Sequence, residues 1–309
     1  MKTDIIKFKG NAKDKVYLKK ISDTLKSGGL VVLPTETVYG LGGNGLNKRA
    51  CKKIYEAKGR PSDNPLILHI AENSQLDALV AEIPDVAKKC MEKFWPGPLT
   101  IIFKRSEIIP DEATGGLDTV AIREPSNEIA HAILKAVDFP VAAPSANLSG
   151  RPSPTKVEHV IEDLREIDEN IRIDSATIDA KSGEIPKSPG QKYRHYAPRA
   201  EAICFGGRLD KVVNEIKKNI KENKDKKIAV LATDETFEEY KNLDIKLLIN
   251  LGSRDHLEEV ATNLFDALRR CDEENVDIIF AEGFELRGMG LSIMNRLLKA
   301  CSGKVVMRI

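Results

Sequence analysis

The chain has 309 residues, of which 41% are hydrophobic and 31% are charged, which is typical of a globular protein with room for two domains. Its 48 lysines and arginines nearly balance 47 acidic residues, so the net charge of +1 provides no overall field for a nucleic acid or an anionic membrane. The polar N-terminus lacks the features of a secretory signal, no window holds the roughly 18 apolar residues of a membrane span, and the five cysteines form no Cys-x-x-Cys pair. These features predict a cytoplasmic protein without a membrane span, a disulfide framework or a structural metal.

The first part of the chain alternates helical and strand patterns. Apolar residues at helix spacing predict a helix that ends at Gly28 and Gly29, and Asn47 is expected to cap a second helix. Short apolar runs bounded by proline, glycine and polar residues predict buried strands at 30–33, 65–70, 99–103, 119–124 and 139–145. This mixture predicts an irregular α/β domain over residues 1–180.

Residues 181–200 break this pattern. The segment holds three prolines, two glycines and the aromatic and cationic run "KYRHY", so it cannot form a regular element. It is either an interdomain linker or a segment that lies against a ligand. From residue 201 strand and helix patterns alternate again, which predicts a small doubly wound parallel sheet over 201–309. Its predicted strands are 226–233, 245–250, 276–283 and 304–309.

A glycine-rich stretch follows the first predicted strand. Gly40, Gly42 and Gly45 match the pattern G-x-G-x-x-G. In a dinucleotide fingerprint the first glycine directly follows a strand, whereas Gly40 is the seventh residue after this one. The match is therefore interpreted as accidental. The glycines are expected to form a loop whose backbone turns tightly and approaches a neighbour or a ligand.

Two cations flank a glycine at the end of the second predicted helix. Lys58 in the last turn, Gly59 as a left-handed cap and Pro61 as a stop are explained by helix capping alone. Capping does not explain Arg60 or Asn64. The alternative is that Lys58 and Arg60 converge on a phosphate group, to which Arg60 offers a fork of donors.

Other polar groups follow predicted strands. Ser145 and Asn147 lie in a Ser-x-Asn spacing that points both side chains the same way from an extended segment, although turn chemistry is the simpler interpretation. Arg123 ends a strand beside Glu124, where an ordinary surface ion pair is the alternative. His69 is by default a satisfied core histidine. Together these groups favour a site for a nucleotide and a small polar substrate.

Seven motifs, in an order that spans almost the whole chain, resemble those of the long, two-domain form of the threonylcarbamoyl-AMP synthase family. They are "LPTETVYGLG", "EAKGRPSDNPL", "WPGPLT", "AIREP", "APSANLSGRPSPT", "SPGQKYRHYAP" and "MGLSIMNRLLKA". The resemblance implies an α/β fold, with a twisted mixed-sheet catalytic domain around an open cavity (1–180), a linker over the active site (181–200) and a small Rossmann-like C-terminal domain (201–309).

The resemblance implies an activity as well. A nucleotidyltransferase of this family joins L-threonine, bicarbonate and ATP into threonylcarbamoyl-AMP and releases pyrophosphate. The product serves the N6-threonylcarbamoyladenosine modification of tRNA position 37. The resemblance implies Mg²⁺ as a cofactor, downstream tRNA-modifying transferase proteins as partners, and a weak contact with tRNA. It implies no contact with a membrane.

The resemblance further implies which residues form the site. It gives Lys58, Arg60 and Arg123 catalytic roles, with Arg123 taking the carboxylate of threonine as a bidentate pair. The residues implied in ATP binding are Lys58, Arg60, Asn64, Thr119, Ser145, Asn147, Ser153, Arg194, His195 and Tyr196. The residues implied in L-threonine binding are Thr35, Thr37, His69, Arg123, Ala143 and Ser175. No metal-ligating residue is implied.

One region departs from the family pattern. An Arg-Pro-Gly motif is expected before the linker, and residues 156–190 lack it; "DSATID" resembles a reduced form of the strand that precedes it. An alternative is therefore a relative that binds RNA or nucleotide with reduced or no synthase activity. A third hypothesis, carbamoyl transfer in hydrogenase maturation, predicts cysteine-pair zinc fingers, which this sequence lacks.

Overall fold

The computed structural model describes residues 5–8, 12–164 and 197–308. These residues divide into two compact units. Those up to Ser149, together with those from Lys156 to 164, form the first unit, and Gly150–Thr155 together with 197–308 form the second. The predicted boundary at 180 and most of the predicted linker lie outside the described residues, so the three predicted domain ranges stay predictions.

Short strands and helices alternate in the first unit, as the sequence pattern predicts. In chain order they are α1 (Ala12–Lys26), β1 (Val31–Leu33), β2 (Gly40–Asn44), α2 (Lys48–Lys58), β3 (Ile67–His69), a 3₁₀ turn (Asn73–Gln75), α3 (Leu76–Leu79), α4 (Asp85–Phe94), β4 (Ile101–Lys104), α5 (Asp111–Thr114), β5 (Thr119–Arg123), α6 (Glu128–Lys135), β6 (Val141–Ala142) and α7 (Val157–Leu164).

A mixed sheet organises the first unit. Among the described residues six strands pair in the order β1-β2-β6-β3-β5-β4, with β3 and β5 parallel and the other neighbours antiparallel. Apolar side chains of β3 and β5, such as Leu68 and Ile122, pack with Ile54 of α2 and Trp95 in one buried cluster. Burial of these apolar side chains holds β3 and β5 in place, and the polar residues at the ends of the two strands are positioned with them. The mixed-sheet fold class is therefore confirmed.

The glycine-rich stretch is a strand and not the expected loop. Residues Gly40–Asn44 form β2, which pairs with β1 on one side and β6 on the other. A Cβ atom on Gly42 would lie 2.6 Å from Cδ2 of Leu33 and 2.9 Å from Cγ1 of Val141. Side chains from both neighbouring strands thus fill the space above this position, and only glycine lets them close over it. The expected close approach to a neighbour is correct. The expected tight turn is wrong for Gly40 and Gly42, which lie in β2, and correct for Gly45, which lies in the turn closed by the N–H of Asn47 on the carbonyl of Asn44.

Local capping signals set the ends of α2. The side chain of Asn47 accepts hydrogen bonds from the backbone of Arg49 and Ala50 at the start of the helix. Gly59, with φ of 57°, donates its N–H to the carbonyls of Glu56 and Tyr55 at the end. Both caps were predicted from the sequence. They place Lys58 in the last turn and Arg60 directly beyond it.

The second unit is built on a parallel sheet. Its elements are β7 (Glu201–Gly207), α8 (Leu209–Glu222), β8 (Ile228–Ala232), α9 (Phe237–Tyr240), β9 (Leu247–Asn250), α10 (Leu257–Glu273), β10 (Ile278–Glu282), α11 (Gly288–Ala300) and β11 (Val305–Arg308). Among the described residues five strands pair in the order β11-β7-β10-β8-β9, all parallel. This is the predicted Rossmann-like architecture, in which crossover helices cover the sheet. The sequence pattern did not predict β7.

A buried polar network closes the carboxyl edge of this second sheet. Glu282 at the end of β10 is inaccessible to solvent, and its carboxylate accepts from the hydroxyls of Tyr240 (3.0 Å) and Thr233 (3.1 Å). It also forms an ion pair with Arg254 at 3.1 Å. Every oxygen of this buried acid is thus satisfied, as a stable interior requires.

In the part of the chain that the structure describes, no helix combines the length and the apolarity needed to cross a bilayer.

Candidate active site

The strand register gives the first sheet two polar ends. His69 is paired with Arg123 across β3 and β5 and with Val141 across β3 and β6, so these residues lie at one end. Ser145 lies four residues beyond Val141 and forms a bridge with Gly40. Four residues of extended chain span roughly 13 Å. The candidates therefore form an Arg123 end and a Ser145 end on the same group of strands.

Arg123 is the centre of the first end. Its Nε donates to the carbonyl of Gly97 at 3.1 Å, its Nη1 donates to the Thr37 hydroxyl at 3.2 Å, and its Nη2 lies 2.8 Å from a carboxylate oxygen of Glu36. The side chain of Arg123 is only 9% exposed. The alternative of a surface ion pair with Glu124 is therefore wrong. Long-range contacts hold the guanidinium instead.

The turn after β1 brings Thr37 to Arg123. β1 ends at Leu33, and the hydroxyl of Thr35 accepts from the backbone N–H groups of Thr37 and Val38, both at 3.2 Å. The same hydroxyl donates to the carbonyl of Val38 at 2.7 Å and lies 2.9 Å from the Thr37 hydroxyl. Thr35 therefore shapes the turn, and Thr37 is the member that contacts the guanidinium.

His69 is buried and neutral. It is 2% exposed, and its Nδ1 has no hydrogen-bond partner among the described residues. Burial and the positive charge of Arg123 lower the pKa of His69 to about 3. The default interpretation of a satisfied core histidine is wrong. A neutral imidazole with an unpaired ring nitrogen offers one hydrogen bond to a bound molecule.

The sequence reading missed Glu36. Burial opposes the ionisation of Glu36, but the adjacent guanidinium of Arg123 and backbone donors bring its pKa below the ordinary value. Although an oxygen of Glu36 is near, Nη2 of Arg123 makes no well-directed hydrogen bond to any of the described residues. An acid between two threonines directly after a strand, in "PTET", was the available signal.

Lys58 is the centre of the second end. Its Nζ donates to the backbone carbonyls of Ser145 and Asn147, and the residue is 2% exposed. Burial and the nearby charge of Arg60 lower the pKa of Lys58 well below its ordinary value, against an opposing influence of Asp163. The structure therefore joins Lys58 to the Ser-x-Asn segment. It does so through the backbone of that segment.

Arg60 closes the loop that follows α2. Its Nε donates to the carbonyl of Asn64 at 3.1 Å, and its Nη2 donates to Oδ1 of Asn64 at 2.7 Å and to the carbonyl of Pro65 at 2.9 Å. Helix capping does not require these bonds. They hold Arg60 and Asn64 as one unit beside Lys58, whose pKa responds to the charge of Arg60.

The Ser-x-Asn segment is tied to the glycine strand. The N–H of Leu41 donates to the carbonyl of Pro144 at 2.8 Å, and the N–H of Ala146 donates to the carbonyl of Tyr39 at 2.8 Å. Ala143 is buried and donates its N–H to the carbonyl of Ile67 at 3.0 Å. These bonds connect the segment to β2 and β3, so it continues from the end of β6 between these two strands.

The structure describes two further predicted residues. Thr119 begins β5, which runs parallel to β3, so it lies roughly 13 Å from Arg123, toward the Ser145 end of the strands. Ser153 is buried in the second unit, where Arg269 donates to the carbonyl of the preceding Pro152. The remaining predicted site residues and the "DSATID" segment lie outside the described residues. These site residues are Ser175, Arg194, His195 and Tyr196.

Two family models match the chain. The one described as "Telomere recombination" matches residues 23–184, which is more than half of the sequence. The one described as "Threonylcarbamoyl-AMP synthase, C-terminal domain" matches residues 155–302. Between them they cover every strand of the two sheets except β11.

Similar proteins cover nearly the full length. The chain is 43% identical to the threonylcarbamoyl-AMP synthase of Pyrococcus abyssi, over 91% of this chain and 93% of that protein. It is also 43% identical to the enzyme of the same name from Bacillus subtilis, over 91% and 92%. The crystal structure of P. abyssi Sua5 complexed with L-threonine superposes with a TM-score of 0.83 at 41% identity, covering 96% of this chain and 97% of that one. The chain therefore belongs to the threonylcarbamoyl-AMP synthase family.

Proposed function

We propose that this enzyme joins L-threonine, bicarbonate and ATP into threonylcarbamoyl-AMP and releases pyrophosphate, for the threonylcarbamoyl modification of adenosine 37 in tRNA. The arrangement of two polar ends on one group of strands is the observation that carries this proposal. One end has a buried guanidinium and a neutral histidine, and the other has two cations and a Ser-x-Asn segment. An adenylate that carries an amino acid needs both kinds of group at such a separation.

The Arg123 end suits an amino acid. A guanidinium with fixed orientation forms two parallel hydrogen bonds to a carboxylate, and the bond from Nε to Gly97 fixes this one. The unpaired Nδ1 of His69 and the hydroxyl of Thr37 supply further polar contacts. Thr35 and Ala143 shape the walls of the same region. We assign L-threonine to this end, in line with the ligand of the P. abyssi structure.

The Ser145 end suits the phosphates of ATP. Arg60 brings a delocalised cation, and Asn64, Ser145 and Asn147 bring polar side chains or backbone groups. Lys58 acts here by organising the segment through its carbonyl contacts. Further ATP contacts from Thr119 and Ser153, and from the region of 194–196, are part of the proposal.

Positioning and charge neutralisation account for catalysis in this scheme. The α-ammonium of threonine loses a proton to solvent, and the free amine adds to the carbon of bicarbonate, which loses water to leave a carbamate. A carbamate oxygen then attacks the α-phosphorus and the bond to pyrophosphate breaks, without a covalent enzyme intermediate. Arg60 neutralises the charge that grows on the phosphates. We assign Mg²⁺ to the triphosphate as part of the substrate, and no step of the scheme requires a protein-bound ion.

The product is expected to pass to a tRNA-modifying transferase in the cytoplasm. The alternative of a binding-only relative is not favoured, because the similar synthases match over nine-tenths of the chain. The two hypotheses differ in one measurable respect. Synthesis predicts threonine-dependent release of pyrophosphate, whereas RNA binding alone predicts salt-dependent association with RNA and no such release.

The test combines the protein with ATP, Mg²⁺, bicarbonate and L-threonine, and measures pyrophosphate and the adenylate by mass spectrometry. Arg60→Ala is expected to lower turnover by about 10²-fold or more, because a cation that neutralises transition-state charge contributes about 3 kcal/mol. The fold is expected to survive, because the bonds described for the Arg60 side chain are local ones, to Asn64 and Pro65.

Arg49→Ala is the matched control, since Arg49 is an exposed arginine of α2, the helix that precedes Arg60. The control should keep full activity. Unchanged turnover in Arg60→Ala would remove Arg60 from the site, and absence of threonine-dependent pyrophosphate in the unmodified protein would overturn the proposed function itself.

A further inference from the structure

Glu36 lies at the amino-acid end with its carboxylate directly against the guanidinium. An oxygen of Glu36 is 2.8 Å from Nη2 of Arg123, in an ion pair whose two side chains are 21% and 9% exposed. Among the described residues no other carboxylate forms an ion pair with Arg123. A negative and a positive group thus stand side by side, and the acid is the more accessible member.

The charges of this end sum to zero. Arg123 is positive, Glu36 is negative because its pKa is lowered, and His69 is neutral because its pKa is near 3. An α-amino acid at neutral pH is a zwitterion, so its net charge is zero as well. Its carboxylate and ammonium are attached to the same carbon, so they present opposite charges side by side. The adjacent guanidinium and carboxylate of the protein match that pattern with the signs reversed.

The ion pair leaves bonding capacity on both partners. Nη2 of Arg123 is buried and makes no well-directed hydrogen bond, so its N–H groups remain available to a ligand carboxylate. The carboxylate of Glu36 is an acceptor only, with lone pairs on two oxygens. The guanidinium of this pair is buried, and a buried charge that is not fully hydrogen-bonded costs desolvation free energy. A bound zwitterion supplies the missing bonds to both groups at once.

We propose that Glu36 accepts a hydrogen bond from the α-amino group of the substrate, while Arg123 binds its carboxylate, and that this pair selects α-amino acids over α-hydroxy acids. This inference rests on the proposed function of the same site. A hydroxy acid carries a net negative charge. With a hydroxy acid bound, the single cation Arg123 faces two carboxylates, and the site carries a net negative charge, which is unfavourable where solvation is poor.

Glu36 in this role orients the amine. Once the bound α-ammonium has lost one proton to solvent, the ionised carboxylate of Glu36 accepts a hydrogen bond from one of the remaining N–H groups, so the lone pair of the neutral amine points away from Glu36. Carboxylation requires that lone pair. Glu36 therefore binds and positions the nitrogen.

The experiment measures binding of two ligands by calorimetry. The first is L-threonine, and the second is 2,3-dihydroxybutanoate of matching stereochemistry, in which a hydroxyl replaces the amine. Glu36→Gln keeps the size of the side chain and removes its charge. We expect at least a 10-fold loss of threonine affinity, and an unchanged or higher affinity for the hydroxy acid. Glu36→Asp should retain the preference for threonine.

Glu92→Gln is the matched control, since Glu92 is an exposed acid on α4 of the same unit. It should change neither affinity. If Glu36→Gln binds both ligands as the unmodified protein does, the proposal is wrong, because Glu36 then makes no contact with the amine. If the variant loses affinity for both ligands equally, the proposal is also wrong, because Glu36 then acts only by holding Arg123. If the unmodified protein binds no threonine, the proposed function fails along with this inference, whereas threonine binding that Glu36→Gln leaves intact overturns the inference alone.

Discussion

Arg123→Ala is expected to raise the KM for L-threonine by about 10²- to 10⁴-fold, because each hydrogen bond to a charged group contributes about 1.5–3 kcal/mol and a bidentate pair forms two of them. The guanidinium is held by Gly97, Thr37 and Glu36, so its orientation is set before a ligand arrives. Steady-state kinetics with varied threonine at saturating ATP measures the effect.

Arg123→Lys separates charge from geometry. Lysine keeps the positive charge opposite Glu36 but cannot form two parallel bonds to a carboxylate. We expect it to recover only a small part of the threonine affinity. The KM for ATP should stay within about threefold in both variants, because Arg123 lies roughly 13 Å along the strands from the Ser145 end. A threonine KM that alanine leaves unchanged would falsify the assignment of this end to the amino acid.

Lys58→Met is expected to lower both turnover and stability. The ammonium or amine of Lys58 is the donor to the buried carbonyls of Ser145 and Asn147. Methionine fills a similar volume but donates nothing, and an unsatisfied buried carbonyl costs about 1–3 kcal/mol. We expect the free energy of unfolding to fall by about 2–4 kcal/mol and turnover to fall by about 10²-fold, since the segment that faces the phosphates loses its anchor. Urea denaturation and the pyrophosphate assay measure the two effects.

The pH dependence of stability distinguishes Lys58 from a surface lysine. Because the pKa of Lys58 is lowered in the folded protein, the unfolded chain binds more protons at alkaline pH below the ordinary value of 10.5. The free energy of unfolding therefore rises with pH across the window that ends near 10.5, and Lys58→Met should remove that slope. Lys48→Met, at an exposed lysine of the same helix, should keep the slope. Equal slopes in both variants would contradict a buried Lys58 with a lowered pKa.

Local signals in the sequence were sufficient for the helix ends and for most strands. Asn47 and Gly59 cap α2 through bonds to residues no more than four positions away, so residue type and spacing alone predict them. Apolar runs located β3, β5, β8 and β10 for the same reason. The motifs also identified the family, because they combine many such short patterns in one order.

The glycine strand shows where local propensity fails. Glycine is depleted in strands, and a run of glycines after a proline and polar residues favours a loop. β2 forms nonetheless because the side chains of Leu33 and Val141 occupy the space where Cβ atoms would stand. Val141 is about a hundred positions along the chain. Its packing against Gly42 follows from the fold as a whole.

By itself the sequence determined the family, the two sheet types, the caps and a set of polar candidates, since these depend on residues that are close along the chain. The tertiary structure alone decided which candidates meet. Thr37 contacts Arg123 across 86 positions, and Lys58 contacts Ser145 across 87. Only the tertiary structure shows that Glu36 contacts Arg123 and that Nδ1 of His69 has no hydrogen-bond partner among the described residues. It also shows that Thr119 and Arg123 lie at opposite ends of β5. The physical reason is that strand register and burial, which set these meetings, are fixed by the packing of the whole domain and not by the preference of any one segment.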